Sequence, residues 1–263
     1  MGNIRLALLN IRKNIRNEKE LKVSFIITVI GMAINNIAFL VIWYYFGKTI
    51  GELNGWSPMD VFGLYGYGTT VYGIVVSVFS GILDIPTYIT TGNFDKYLLT
   101  PKNILVKVTT SKIHTSAFGD LLFGITCFIV FACNIKMNLL QGLLSIVLII
   151  LGSMMFYSFA LFAMSISFYL MDGHNVSQGI YNIFVSNSLY HGGAFTGVLR
   201  FIFIYMVPAL LIGAVPVEII KNFSVTNLIT LILVTIVWFI FSIMFFYKSL
   251  RRYESNNMFG FGS

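Results

Sequence analysis

"GIYNIFVSNSLYHGGAFTGVLRFIFIYMVPALLIGAVPVEII" occupies residues 179–220, and the number of times it crosses a membrane decides the fold. The stretch is apolar enough to enter a bilayer and too broken to be one helix. His191-Gly192-Gly193 interrupts it. By length it holds two full crossings, or one crossing followed by a hairpin that dips back. Broken backbone at membrane depth is tolerated only where protein or a cavity covers it.

The surroundings of this stretch supply the context. The chain has 263 residues, 57% hydrophobic and 10% charged, with a mean hydropathy of +0.84. A soluble domain needs far more charge to cover its surface. The length suits one membrane domain, residues 1–263, without a second soluble one. A membrane helix takes about 20 mostly apolar residues. Residues 23–46, 59–83, 107–133, 140–170 and 228–247 meet that requirement.

Charge arbitrates between the two readings of 179–220. The net charge of +7 would suggest nucleic acid in a soluble protein. In a membrane chain Lys and Arg report sidedness, because they collect on the cytoplasmic side. With a cytoplasmic N-terminus and six crossings, the inner pieces 1–22, 84–114 and the tail from Lys248 carry six, four and three basic residues. Lys48, Lys136, Arg200 and Lys221 remain outside. Seven crossings would put the basic tail "KSLRRYES" outside. The expectation is therefore an all-α polytopic protein with six crossings and both termini cytoplasmic. A broken fifth crossing and a re-entrant segment share residues 175–225.

Residues 1–22 carry Ile4, Leu8, Ile11 and Ile15 on one helical face and basic residues on the rest. That pattern predicts an amphipathic helix lying in the membrane interface. Six basic residues and no long apolar core exclude a cleavable signal. Cys127 and Cys133 share one apolar stretch and read as thiols rather than a disulfide or metal site.

No catalytic constellation is present. His114, His174 and His191 are scattered, and no nucleophile elbow occurs. "FGKT" at residues 46–49 ends like a phosphate-binding loop, but Ile42 stands where that loop needs glycine. The chain reads as a non-enzyme that binds neither cofactor nor metal. It shows no internal repeat of the kind found in secondary transporters.

Candidate pathway residues are the polar groups within spans. Asp120 is the clear ionisable case, since burying a charge in hydrocarbon costs several kcal/mol. Three readings are open for it: contact with a cationic substrate, pairing with an Asn across the bundle, or hydroxyl partners at Thr115 and Ser116. Asn35 and Asn36 read as interhelical hydrogen-bonding groups. Tyr65, Tyr67 and Tyr72 alternate with Gly63, Gly66, Gly68 and Gly73, where glycines permit close helix approach. Tyr65 and Tyr72 join the pathway candidates. Trp43, Tyr44, Tyr45 and Trp56 read as an interfacial aromatic belt.

The loop at residues 84–106 contains "ITTGNFDKYLLTPKN". Thr91-Gly92-Asn93 marks a turn and cap, Phe94, Tyr97 and Leu98 share a helical face, and Pro101 stops the helix. An apolar face here has nothing of its own to bury against, so it needs the bilayer or another protein.

In this organisation the chain resembles the permease subunits of type 2 ABC exporters. The resemblance rests on Gly92, Asp95, Leu98 and Pro101, on Gly55-Trp56, and on Arg252-Tyr253-Glu254-Ser255. It implies that residues 92–101 form a coupling helix seated on a separate ABC ATPase subunit, with Phe94 and Tyr97 in the contact. It implies a second permease, identical or similar, and ATP and Mg bound by the partner ATPase only. The implied task is export of a drug, peptide or lipid-like amphiphile across a bacterial cytoplasmic membrane, with no nucleic acid involved. The competing reading is an ion-coupled secondary transporter or channel.

Overall fold

A computed structural model describes residues 9–10, 22–99, 103–170 and 172–253. The predicted interfacial helix at 1–22, apart from Leu9, Asn10 and Lys22, lies outside these residues, as do Pro101, Glu254 and Ser255. The regular structure of the described residues is all helical, with a lone antiparallel bridge between Leu53 and Trp56.

Five helices are long and apolar enough to cross a membrane. They are α1 (Lys22–Ile50), α2 (Asp60–Phe79), α6 (Ser116–Asn134), α7 (Leu139–Ser165) and α11 (Val225–Leu250). Local chemistry fixes several of their starts. Asn138 and Gln141 close a reciprocal capping box at the head of α7, at 2.8 and 3.0 Å. Ser224 caps α11 by accepting the amide of Asn227.

Between α2 and α6 the chain makes three short helices, α3 (Ile85–Thr90), α4 (Asp95–Leu98) and α5 (Ile104–Thr109). The third crossing therefore begins at Ser116, nine residues later than the hydropathy of 107–133 predicts. The reason is local. Thr110 returns its hydroxyl to the carbonyl of Val106, and Lys112 turns aside to Asp84 at 2.9 Å. Such hydroxyl back-bonding and a charged partner elsewhere end the helix.

Residues 175–220 hold none of these five long helices. α8 (Gly173–Ser188) has 16 residues, a length of roughly 24 Å at 1.5 Å per residue, short of the about 30 Å hydrocarbon core. After the predicted break at His191, α9 (Gly197–Phe201) continues as a wider π-turn through Met206. The chain then doubles back at Pro208 into α10 (Ala214–Lys221). Neither α9 nor α10 is long enough to cross.

The core is built by α2, which is buried along most of its length against α6 and α7. Its glycines are the reason. A Cβ on Gly66 would stand 2.8 Å from the backbone of Phe128, and one on Gly73 2.8 Å from the amide of Leu121. Backbone meets backbone there, as small residues allow in lipid-embedded helix pairs. α1 instead leans on α6 and leaves Ile26, Ile30, Ile34, Phe39 and Ile42 exposed. Basic residues sort to the two ends of the bundle. Lys107, Lys112 and Arg252 gather at the end that holds Tyr88, whereas Arg200 and Lys221 stand at the end that holds Trp56.

Candidate functional site

Three features occupy different levels of the bundle. The first is a groove of about 460 Å³ between α1, α2 and α8. Asn35, Asn36, Phe39 and Trp43 line it from α1, Tyr65 from α2, and Ser186 with Tyr190 from α8 and its end. Trp43 meets Tyr190 edge to face, with ring centroids 5.0 Å apart. Of the predicted pathway residues, Asn35, Asn36 and Tyr65 line this groove, whereas Tyr72 and Asp120 do not. The aromatic wall at Trp43 and Tyr190 was not predicted. Tyr190 stands beside the break at His191, and a sequence shows no partner for it.

Asp120 is buried on α6 and accepts a hydrogen bond from Asn36 Nδ2 at 2.6 Å on Oδ1. The pairing with an Asn across the bundle is present in the structure. Oδ2 of the same carboxylate has no protein partner. Among the described residues no Lys or Arg forms an ion pair with Asp120. Tyr72 and Tyr181 flank the ring of Phe156 at 5.5 and 6.1 Å.

The second feature is a cap at the Trp56 end. Glu218 on α10 accepts the indole N–H of Trp56 at 3.3 Å and is gripped by both terminal nitrogens of Arg200. One turn on, Lys221 pairs with Asp60 at the head of α2 and donates to the carbonyl of Gly55 at 2.9 Å. Asn54 donates to the carbonyl of Gly193 at 2.7 Å. The loop at 51–59 and the hairpin of α9 and α10 are thus tied together at several points. Trp56 is buried here against His191, with ring centroids 5.1 Å apart, and does not belong to an interfacial belt. Two opposite charges in the apolar stretch 198–220 were the available signal for this cap.

The third feature is the elbow formed by α3, α4 and α5. Pro86 sits in the first turn of α3, where its missing N–H costs nothing. Gly92 then takes φ +67, a left-handed turn suited to glycine, and reverses the chain into α4. Phe94 and Tyr97 do not form an exposed face. Phe94 is fully buried between Phe168 and Tyr253, at centroid distances of 5.3 and 5.1 Å. Tyr97 packs on Tyr88 at 5.3 Å, and Lys107 donates to its carbonyl at 3.0 Å. The expectation that this face had nothing of its own to bury against is corrected. Local spacing identifies an apolar face but not a distant turn that covers it.

The exposed apolar surface of the elbow is Leu98 and Leu99, the latter 82% exposed. Burial, with the Asp95 carboxylate beside it, pushes the Tyr253 phenol up to about 12, so it stays protonated within the elbow's bed. Asn10 reaches the same end of the molecule and donates to Thr110 Oγ1 at 3.0 Å.

No metal-holding cluster of His, Cys, Asp and Glu occurs among the described residues. No curated protein and no solved structure matches the chain. Residues 26–257 match the profile of the ABC-2 family transporter proteins. That match takes in all five long helices but the first residues of α1, together with the cap and the elbow. The chain belongs to the ABC-2 transporter family, as a membrane-spanning permease.

Proposed function

We propose that this permease is the transmembrane half of an ATP-driven exporter. A separate cytoplasmic ABC ATPase supplies the energy, a second permease completes the pathway, and the cargo is amphiphilic: a drug, peptide or lipid-like molecule. The observation that carries this reading is the elbow. It presents Leu98 and Leu99 outward on a base cemented by Phe94 to the turn after α7 and to Tyr253 after α11. A push on the exposed leucines is thereby delivered to the ends of two long helices.

On this reading the Tyr88 end faces the cytoplasm and the Trp56 end faces outward, in a bacterial cytoplasmic membrane. α8 is the fifth, shortened crossing, and α9 with α10 is the re-entrant hairpin. ATP and Mg bind in the partner, whose two subunits close on nucleotide. The closure moves the elbow, and the groove between α1, α2 and α8 opens toward the capped end. The groove supports the amphiphile assignment, since aromatic and aliphatic walls with a few polar groups are the usual lining of small-molecule sites.

Two measurements test the reading. The chain should co-purify with an ABC ATPase, and transport should stop on ATP depletion. Survival of transport without ATP, with collapse when the proton gradient is dissipated, would establish the ion-coupled alternative. Leu98→Ala with Leu99→Ala should leave insertion intact and lower transport-linked ATP hydrolysis by about tenfold, the effect of losing roughly 1.4 kcal/mol of docking energy. Unchanged coupling removes the elbow from the mechanism.

A further inference from the structure

The groove has a chemical bias that neither family membership nor amphiphilicity specifies. Its wall carries an aromatic corner, with Trp43 and Tyr190 edge to face at 5.0 Å. Asn36 lines it about two turns before Trp43 on α1. Behind Asn36 stands Asp120, whose Oδ2 has no protein partner and which no Lys or Arg neutralises among the described residues. Asp60, by contrast, is held by Lys221, and Glu218 by Arg200. Asp120 is therefore the acidic group of the long helices left without a counter-charge. None of the residues lining the groove is Lys or Arg.

These facts have one electrostatic sense. The Asn36 amide hydrogen points to the carboxylate, so the dipole of that amide is aligned with its oxygen end away from the acid. An acceptor polarised in this way at the groove wall favours positive charge, as chained hydrogen bonds reinforce one another. Indole and phenol faces attract cations through their quadrupoles, most strongly where water is excluded. An uncompensated carboxylate in a low-dielectric setting adds a field of the same sign. Anions meet the reverse at every step.

We infer that the groove selects lipophilic organic cations, bound with the apolar body against Phe39, Trp43 and Tyr190 and the positive centre toward Asn36, with Asp120 as the buried counter-charge. This rests on the transport reading for its biological meaning, but binding itself requires neither ATP nor the ATPase.

The test uses two ions of nearly the same size and shape and opposite charge, tetraphenylphosphonium and tetraphenylborate. Each is titrated into the purified full chain in nanodiscs while tryptophan emission is followed. The variant Trp43→Phe gives the background from lipid partitioning and from Trp56 and Trp238. Tetraphenylphosphonium should quench Trp43 saturably and bind at least about tenfold more tightly than tetraphenylborate. Asp120→Asn should weaken that preference at least about threefold, leaving the part that the aromatic faces supply. Equal binding of the two ions overturns the inference, as does a preference undiminished by Asp120→Asn. The wild-type comparison needs no variant, so it decides the matter even if Asp120→Asn fails to assemble. Failure here leaves ATPase co-purification untouched, and failure of co-purification leaves the ion preference readable.

Discussion

Glu218 accepts from two donors, the buried Trp56 indole and the half-buried Arg200 guanidinium. Removing it strands both. Glu218→Ala should lower stability by about 2 kcal/mol, the scale of hydrogen bonds to a charged group, and should shift Trp56 emission to the red as water enters. Replacing the ion pair together, Arg200→Leu with Glu218→Leu, should recover most of that loss, because no charge is left unpaired. Thermal unfolding followed by fluorescence distinguishes the two outcomes. At Gly73 the expectation is harsher. A methyl there would press on the backbone of Leu121, so Gly73→Ala should lower stability by about 1–3 kcal/mol through overpacking, measured as a fall in Tm. The glycine spacing of α2 announced this close packing in the sequence. The partners of Trp56 were not announced, since they lie more than a hundred residues away along the chain.

Elements differ in how openly the sequence displays them. The five long helices are visible because hydrophobicity alone requires them. The late start of α6 is hidden, because apolar residues 104–109 continue the same hydropathy across a bend made by hydroxyls and Lys112. The elbow is half visible. Gly92 and the short helical face were legible, whereas the burial of Phe94 by Phe168 and Tyr253 depends on the end of α7 and the tail after α11 meeting there. This distinction makes a prediction. Phe94→Ala should destabilise the protein by about 3–5 kcal/mol, as large-to-small changes at fully buried aromatic positions do. Leu99→Ala, at an exposed position, should leave Tm unchanged and, on the proposed reading, lower coupling to the ATPase. If the two variants behaved alike in thermal unfolding, the elbow would not be seated as described.

For the whole molecule, the chain carries its own reporter of orientation. Cys133 is exposed in the last turn of α6, at the end opposite the elbow, and Cys127 is buried. If the Trp56 end faces outward, a membrane-impermeant maleimide should label intact cells at Cys133, and Cys133→Ser should abolish the signal. Labelling confined to inside-out vesicles would reverse the orientation drawn from the basic residues. The segregation of charge to two ends was readable from the sequence because sidedness is written in loop composition. The groove was only partly readable: Asn35, Asn36 and Tyr65 were identifiable as polar groups in apolar helices, but a wall shared by three helices exists only once they pack.

Tyr253 stands just past the end of α11, and its ring is part of the surface on which Phe94 rests. Shortening the chain to end at Arg252 would thus remove a bearing of the elbow while leaving every long helix whole. On the proposed reading such a protein should insert, fold its bundle and bind cargo, yet respond weakly to the partner ATPase. The motor's grip would then depend on an aromatic ring that lies beyond the last long helix.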